Sequence, residues 1–190
     1  MVSRMSRTAV IVEGRSDQIA LEALARRQGR HLDGHDISIV PLGGAQAIGR
    51  FLRQHSASGS GVRLGGICDV NEEGYFIRAL EAAGLGVDLT RPDLERLGFY
   101  VCVVDLEDEL IRALGPATVE KVIEGEGELR SFRLLQRQPV QQGWTIERQL
   151  RRFISSHSGR KARYARLLVE ALDLAAVPRP LASLVDYVFG

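Results

Sequence analysis

Residues 8–17 read TAVIVEGRSD, five apolar or β-branched positions closed by an acid and a glycine, after which Ser16 and Asp17 open a helical pattern. A short apolar run of this kind is expected of a strand buried on both faces, and Gly14 ends it. Helical spacing follows through Ile19, Leu21, Ala23 and Leu24, and Gly29 supplies a stop. The same grammar recurs twice. VRLGGICD ends on Asp69, with a helix expected over Glu72 to Ala83, and FYVCVVD ends on Asp105, with DLEDELIRALG reading as a helix that Asp105 caps and Gly115-Pro116 stops. A further strand is expected at Ile37 to Val40, followed by Pro41-Leu42-Gly43-Gly44 and a short helix through Ile48, Phe51 and Leu52. Alternation of β and α argues for a parallel sheet, and parallel strands open their carboxyl ends onto one crevice. Glu13, Asp69 and Asp105 would then converge.

Beyond Pro116 the alternation stops. Helices are expected near Ala117 to Ile123, Ile146 to Ile154 and Lys161 to Leu172, and an amphipathic tail, LASLVDYVFG, follows Pro178 and Pro180. The segment LGVDLTRPDLERLG (85–98) reads as polar turn, and Ser56 to Gly61 (SASGSG) as a short flexible return to the next strand. The expected organisation is an α/β core over residues 1–115 and a helical extension over 116–190.

A length of 190 residues suits one compact domain or a core with a modest appendage. With 25 basic and 24 acidic residues the net charge is +1, so no global field draws the chain to nucleic acid or membrane, and any polyanion binding must be local. Only Lys121 and Lys161 are lysines, so arginine richness is a compositional trait and carries no functional argument. Cys68 and Cys102 each lie inside an apolar run and read as buried thiols, although neighbouring strand ends would place them near one another. No CxxC or Cys/His spacing suggests zinc. The apolar stretch near the N-terminus is too short for a signal peptide, and no run approaches a membrane span. A cytoplasmic location in a reducing compartment is the expectation.

Carboxylates gathered at strand ends repel one another unless a cation is present. Two divalent ions held ~4 Å apart by carboxylates can activate water and stabilise the leaving oxygen of a phosphodiester, and hard oxygen ligands suit Mg²⁺ or Mn²⁺. Each acid also has a structural explanation, since helix first turns favour negative charge; this applies to Asp17 and to Glu107, Asp108 and Glu109. The glycines at 43 and 44 would let backbone amides approach an anion, or serve a tight turn. His157 lies in a loop setting, and Trp144 reads as a core or partner contact. A receiver-like domain with Asp69 as phosphorylated nucleophile would need paired acids after the first strand, where the chain has Glu13 alone.

VEGRSD at 12–17 resembles the Toprim motif, and CDVNEEG at 68–74 occupies the place of the Toprim acidic motif. VVDLEDELIRALG at 103–115 and SGRKARYARLLVEAL at 158–172 are similar to segments of the overcoming-lysogenization-defect (OLD) nucleases. The resemblance implies a Rossmann-like Toprim fold, with a mostly parallel sheet of about four strands and a C-terminal helical addition. It also implies a two-metal endonuclease site for DNA. Glu13, Asp17, Asp105 and Glu107 would coordinate or position Mg²⁺ or Mn²⁺, with Asp69 in the acidic strand-end role and Glu13 and Lys161 serving catalysis, the lysine by stabilising transition-state charge. Asn71, Glu73, Gly43, Gly44 and Arg160 are candidate metal or phosphate contacts.

Two departures accompany the resemblance. Toprim proteins present an Asp-x-Asp pair, whereas Asp69-Val70-Asn71 replaces the second acid with an amide. OLD nucleases carry an ABC-type ATPase domain, and no GxxxxGK[ST] occurs in this sequence. A Toprim module lacking its motor is the expectation, with a separate ATPase as possible partner, DNA as substrate, and a homodimer attractive for double-strand cleavage. The alternative is a degenerate module that binds DNA or a partner without cutting.

Overall fold

The computed structural model describes residues 8–56 and 61–190. Most of the expected SASGSG return lies outside these residues. Four strands form one sheet: β1 (Thr8–Val12), β2 (Ile37–Pro41), β3 (Arg63–Asp69) and β4 (Phe99–Cys102). Their order is β2-β1-β3-β4 and every pairing is parallel. Between β1 and β3 the chain changes the direction in which it builds the sheet, and such a switch point opens a crevice at the strands' carboxyl ends.

Every residue of β1 is buried, as the unbroken apolar run requires of a central strand covered on both faces. Side chains alternate between two cores. Val10, Val12, Ile37, Ile67, Tyr100 and Cys102 enter one; Ile11, Cys68, Phe99 and Val101 enter the other. Cys68 and Cys102 therefore point to opposite faces, and both are free thiols. The second core is closed by α2 (Ile48–Ser56), α3 (Glu73–Ala82) and α4 (Arg91–Arg96), through Ile48, Leu52, Phe76, Leu80 and Leu94. Gly66 has a packing reason: a Cβ there would lie 2.6 Å from the Ile11 carbonyl oxygen and 3.0 Å from the Phe99 ring.

The segment expected as turn contains α4. Thr90 and Asp93 form a capping box, with the Thr90 N–H donating to Asp93 Oδ2 at 2.8 Å, and Pro92 sits in the first turn, where its missing N–H costs nothing. Burial of Leu94 then holds so short a helix.

The first core receives α1 (Arg15–Arg27), α5 (Leu106–Leu114), α6 (Pro116–Gly125), α7 (Leu129–Gln136), α8 (Ile146–Ile154), α9 (Ser158–Ala171) and α10 (Arg179–Phe189). The helix α7 is an addition to the expected set, set off from α6 by Gly127 at φ +70° and anchored by buried Phe132. α9 packs along α1, and α10 packs on β3 and β4. Residues from both halves of the chain thus share one core. Strand β4 ends at Cys102, so Asp105 lies three residues beyond the sheet, at the N-cap of α5. Among the described residues no helix is long and apolar enough to cross a membrane.

Candidate metal and nucleic-acid site

Each acid is placed by a separate local device. Glu13 directly follows β1, and its main-chain carbonyl accepts from the N–H groups of Gly43 and Gly44 at 2.9 and 3.2 Å. Those amides, candidates for an anion, are spent on fixing the end of β1. Asp17 sits in the first turn of α1, 8 % exposed, and its Oδ2 accepts from the Gly14 N–H at 2.9 Å. Asp69 closes β3 opposite Cys102. Asp105 caps α5: its Oδ1 accepts from the Asp108 N–H at 2.8 Å, while its Oδ2 accepts from Arg151 Nε at 2.5 Å. Glu107 is 1 % exposed, and Lys161 from α9 lies 3.2 Å from its Oε2. Beyond that ion pair neither Glu107 oxygen has a partner.

Mutual electrostatics show that these groups share one neighbourhood. Burial pushes Asp69 up to about 8, reinforced by the charges of Asp105, Glu13, Asp17 and Glu72. Burial raises Glu107 to about 7, opposed by Lys161 and reinforced by Asp105 and Asp17. Asp17 is raised by burial, against the Gly14 hydrogen bond and Lys161, with Glu13 and Asp105 adding to the rise. Burial works against the charge on Lys161, but Glu107, Asp17 and Asp105 together hold its pKa above the ordinary value. Five carboxylates and one lysine thus come together from the ends of β1 and β3 and from α1, α5 and α9.

The remaining candidates are placed elsewhere or otherwise engaged. Glu73 is held by Arg91, whose Nε donates at 2.8 Å. Arg160 pairs with Glu128 at 3.1 Å and lies 4.2 Å over the Phe153 ring. Asn71 is exposed on the turn after β3, and His157 is exposed at the N-cap of α9. Glu109 is buried and accepts from the Val103 N–H at 2.8 Å, which fixes the loop that leads into Asp105. Arg151 is the functional neighbour that sequence reasoning missed. It is 46 residues from Asp105 in the chain, and one arginine among so many carries no signal.

The acid set fits a divalent cation in charge and chemistry. Both Glu107 oxygens are buried with no partner beyond Lys161, and burial and neighbouring carboxylates raise the proton affinity of Asp69 and Glu107, which a bound cation would reverse. Among the described residues, however, no three His, Cys, Asp or Glu side chains stand close enough to hold an ion as they are. Arg151 and Lys161 supply positive charge in the apo arrangement.

A parallel sheet ordered β2-β1-β3-β4, with Glu-Gly after the first strand and an acid closing the third, defines a Toprim-type domain. Residues 5–70 match the family model described as overcoming lysogenization defect protein-like, TOPRIM domain. Over those residues the chain is similar to OLD-like Toprim domains. Its fold is similar to the C-terminal region of the Burkholderia pseudomallei OLD protein, with TM-score 0.74, 20% identity, and coverage of 96% of this chain and 97% of that one. It is likewise similar to the C-terminal region of the Xanthomonas campestris pv. campestris OLD protein, with TM-score 0.76, 23% identity, and coverage of 96% and 92%. No curated protein matches the chain in sequence.

Proposed function

We propose that this chain is a metal-dependent endonuclease module that hydrolyses DNA phosphodiester bonds at the strand-end acids. The observation that carries the reading is the gathering of Glu13, Asp17, Asp69, Asp105 and Glu107 into one electrostatic neighbourhood with Lys161. Mg²⁺ or Mn²⁺, in one or two sites, would supply an activated water and charge stabilisation for the leaving oxygen. Glu13, Asp17, Asp69, Asp105 and Glu107 would hold the ions. Asp17 keeps its carboxylate oriented through the Gly14 N–H, and the Asp108 N–H does the same for Asp105. Lys161 is held charged beside Glu107, where it can meet negative charge developing on a phosphate.

The test is incubation of purified protein with supercoiled plasmid in Mn²⁺ or Mg²⁺. Nicking by the natural sequence, lost in Glu13→Ala and Asp17→Asn, supports the reading; no nicking with either metal, or nicking that survives Glu13→Ala, overturns it. A second reading, a module that binds without cutting, is favoured by the ion pair of Arg151 on Asp105 and by the amide at Asn71. It predicts no gain in thermal stability on adding Mn²⁺, since a ligand stabilises only what binds it.

A further inference from the structure

Beside the acids, Asp105, Trp144, Arg148, Arg151, Arg152, Ser155 and Lys161 line a pocket of about 350 Å³. Positions 148, 151, 152 and 155 recur at three- and four-residue steps, which places them on one side of α8, and Trp144 joins them from the segment just before the helix. Leu150, Phe153 and Ile154 bury the opposite side, so the basic stripe is turned outward. Asp105 is the single acid in the lining, and Arg151 covers it.

Several arginines elsewhere are matched by carboxylates, among them Arg91 with Glu73, Arg133 with Glu120, Arg166 with Glu170 and Arg179 with Glu95. Arg148 and Arg152 have no carboxylate partner among the described residues. Instead the Arg148 guanidinium lies 3.7 Å from the centroid of the Trp144 ring. Stacking holds the guanidinium flat while leaving its N–H edge free to donate, an arrangement suited to a phosphate. Its outer face is also a platform on which a nucleobase can stack.

We propose that this pocket is the docking subsite for a single-stranded nucleic-acid segment next to the bond positioned at the acids. Arg148 and Arg152 contact backbone phosphates, and the Trp144–Arg148 stack receives a base. Arg148 is one turn of α8 before Arg151, roughly 4.5 Å along the helix axis, and Trp144 stacks on Arg148, so a strand leaving the acids reaches the stack within a nucleotide or two. The chain's near-neutral net charge makes such a local stripe the means of holding a polyanion. This inference rests on the nuclease reading for its choice of ligand.

Trp144 is the single tryptophan in the chain, so its emission reports this pocket directly. The experiment titrates the full chain in EDTA, at low salt, with a twelve-residue oligothymidylate, following Trp144 emission and the anisotropy of a labelled copy of the oligonucleotide. Saturable quenching is expected. The Arg148→Ala/Arg152→Ala variant should bind about tenfold more weakly, and the slope of log affinity against log salt should fall by roughly 1.4, since each single-strand phosphate contact contributes about 0.7. Arg166→Ala, which removes a charge already paired with Glu170 on another helix, should bind within about twofold of the natural sequence. The inference is overturned by silent Trp144 emission while anisotropy reports binding, by absence of binding, or by the double variant binding like Arg166→Ala. Equal quenching by polyglutamate would assign the pocket to an acidic polypeptide and also overturn it. Because EDTA separates binding from cleavage, plasmid nicking with silent Trp144 defeats only the subsite, whereas quenching without nicking defeats only the nuclease reading.

Discussion

Glu107→Gln offers a quantitative view of what the acid cluster costs the fold when no cation is bound. Burial lifts Glu107 from its ordinary 4.5 to about 7. The folded state therefore holds this proton more tightly than the unfolded chain does. Its stabilising effect is fully present below about pH 4.5 and is lost as pH rises through about 7. At about 1.4 kcal/mol per decade, the ceiling on the cost of ionised Glu107 is roughly 3 kcal/mol. Lys161, 3.2 Å away, already opposes that rise and is counted in it; with the ceiling discounted for relaxation of the buried site, glutamine is expected to give a net gain of about 1–2 kcal/mol at pH 8.5. For a chain of this size that is roughly 2–8 °C in melting temperature. Thermal and urea unfolding in EDTA at pH 5 and pH 8.5 measure it: the variant should match the natural sequence at pH 5 and exceed it at pH 8.5. Equal effects at the two pH values, or a loss of stability at pH 8.5, would refute the reasoning.

Three further outcomes are expected. Mn²⁺ should raise the melting temperature of the natural sequence more at pH 8 than at pH 5, because protonated Asp69 and Glu107 compete with the ion, and Asp17→Asn should blunt the rise; differential scanning fluorimetry reads both. Arg151→Ala should lower apo stability by about 1 kcal/mol, since it strips a half-exposed partner from buried Asp105, yet tighten Mn²⁺ binding in calorimetry by removing a competing cation. Gly98 sits at φ +84°, where a Cβ would run into the Tyr187 ring, so Gly98→Ala should cost roughly 3 kcal/mol in urea unfolding, and Tyr187→Ala in the same chain should restore part of it.

The parallel sheet was legible because β1 and the strands ending at Asp69 and Cys102 are covered on both faces, which leaves unbroken apolar runs with an acid or a glycine at the boundary. Glu13, Asp69 and Asp105 could be placed together from that pattern, since parallel strands share one carboxyl end, whereas Asp17 and Glu107 joined them through the resemblance to the Toprim and OLD segments. Helix α4 was hidden because Thr90, Pro92 and Asp93 are turn residues by composition and become a helix start only when Leu94 finds a core to enter. Helix α7 was hidden for a similar reason: its charged face is extensive, and Phe132 alone is buried. The contacts of Arg151 with Asp105 and of Arg148 with Trp144 depend on how α8 is laid against α5, a tertiary fact with no local signature. Gly43 and Gly44 show the converse, since a glycine turn that resembles an anion cradle turns out to bind the Glu13 carbonyl.

Soaking crystals of the full chain in Mn²⁺ and collecting anomalous data tests the central claim most directly. A manganese peak is expected among the carboxylates of Glu13, Asp17, Asp69, Asp105 and Glu107, with Arg151 displaced from Asp105. An empty acid cluster with Arg151 still seated on Asp105, or manganese bound only elsewhere on the chain, would contradict it.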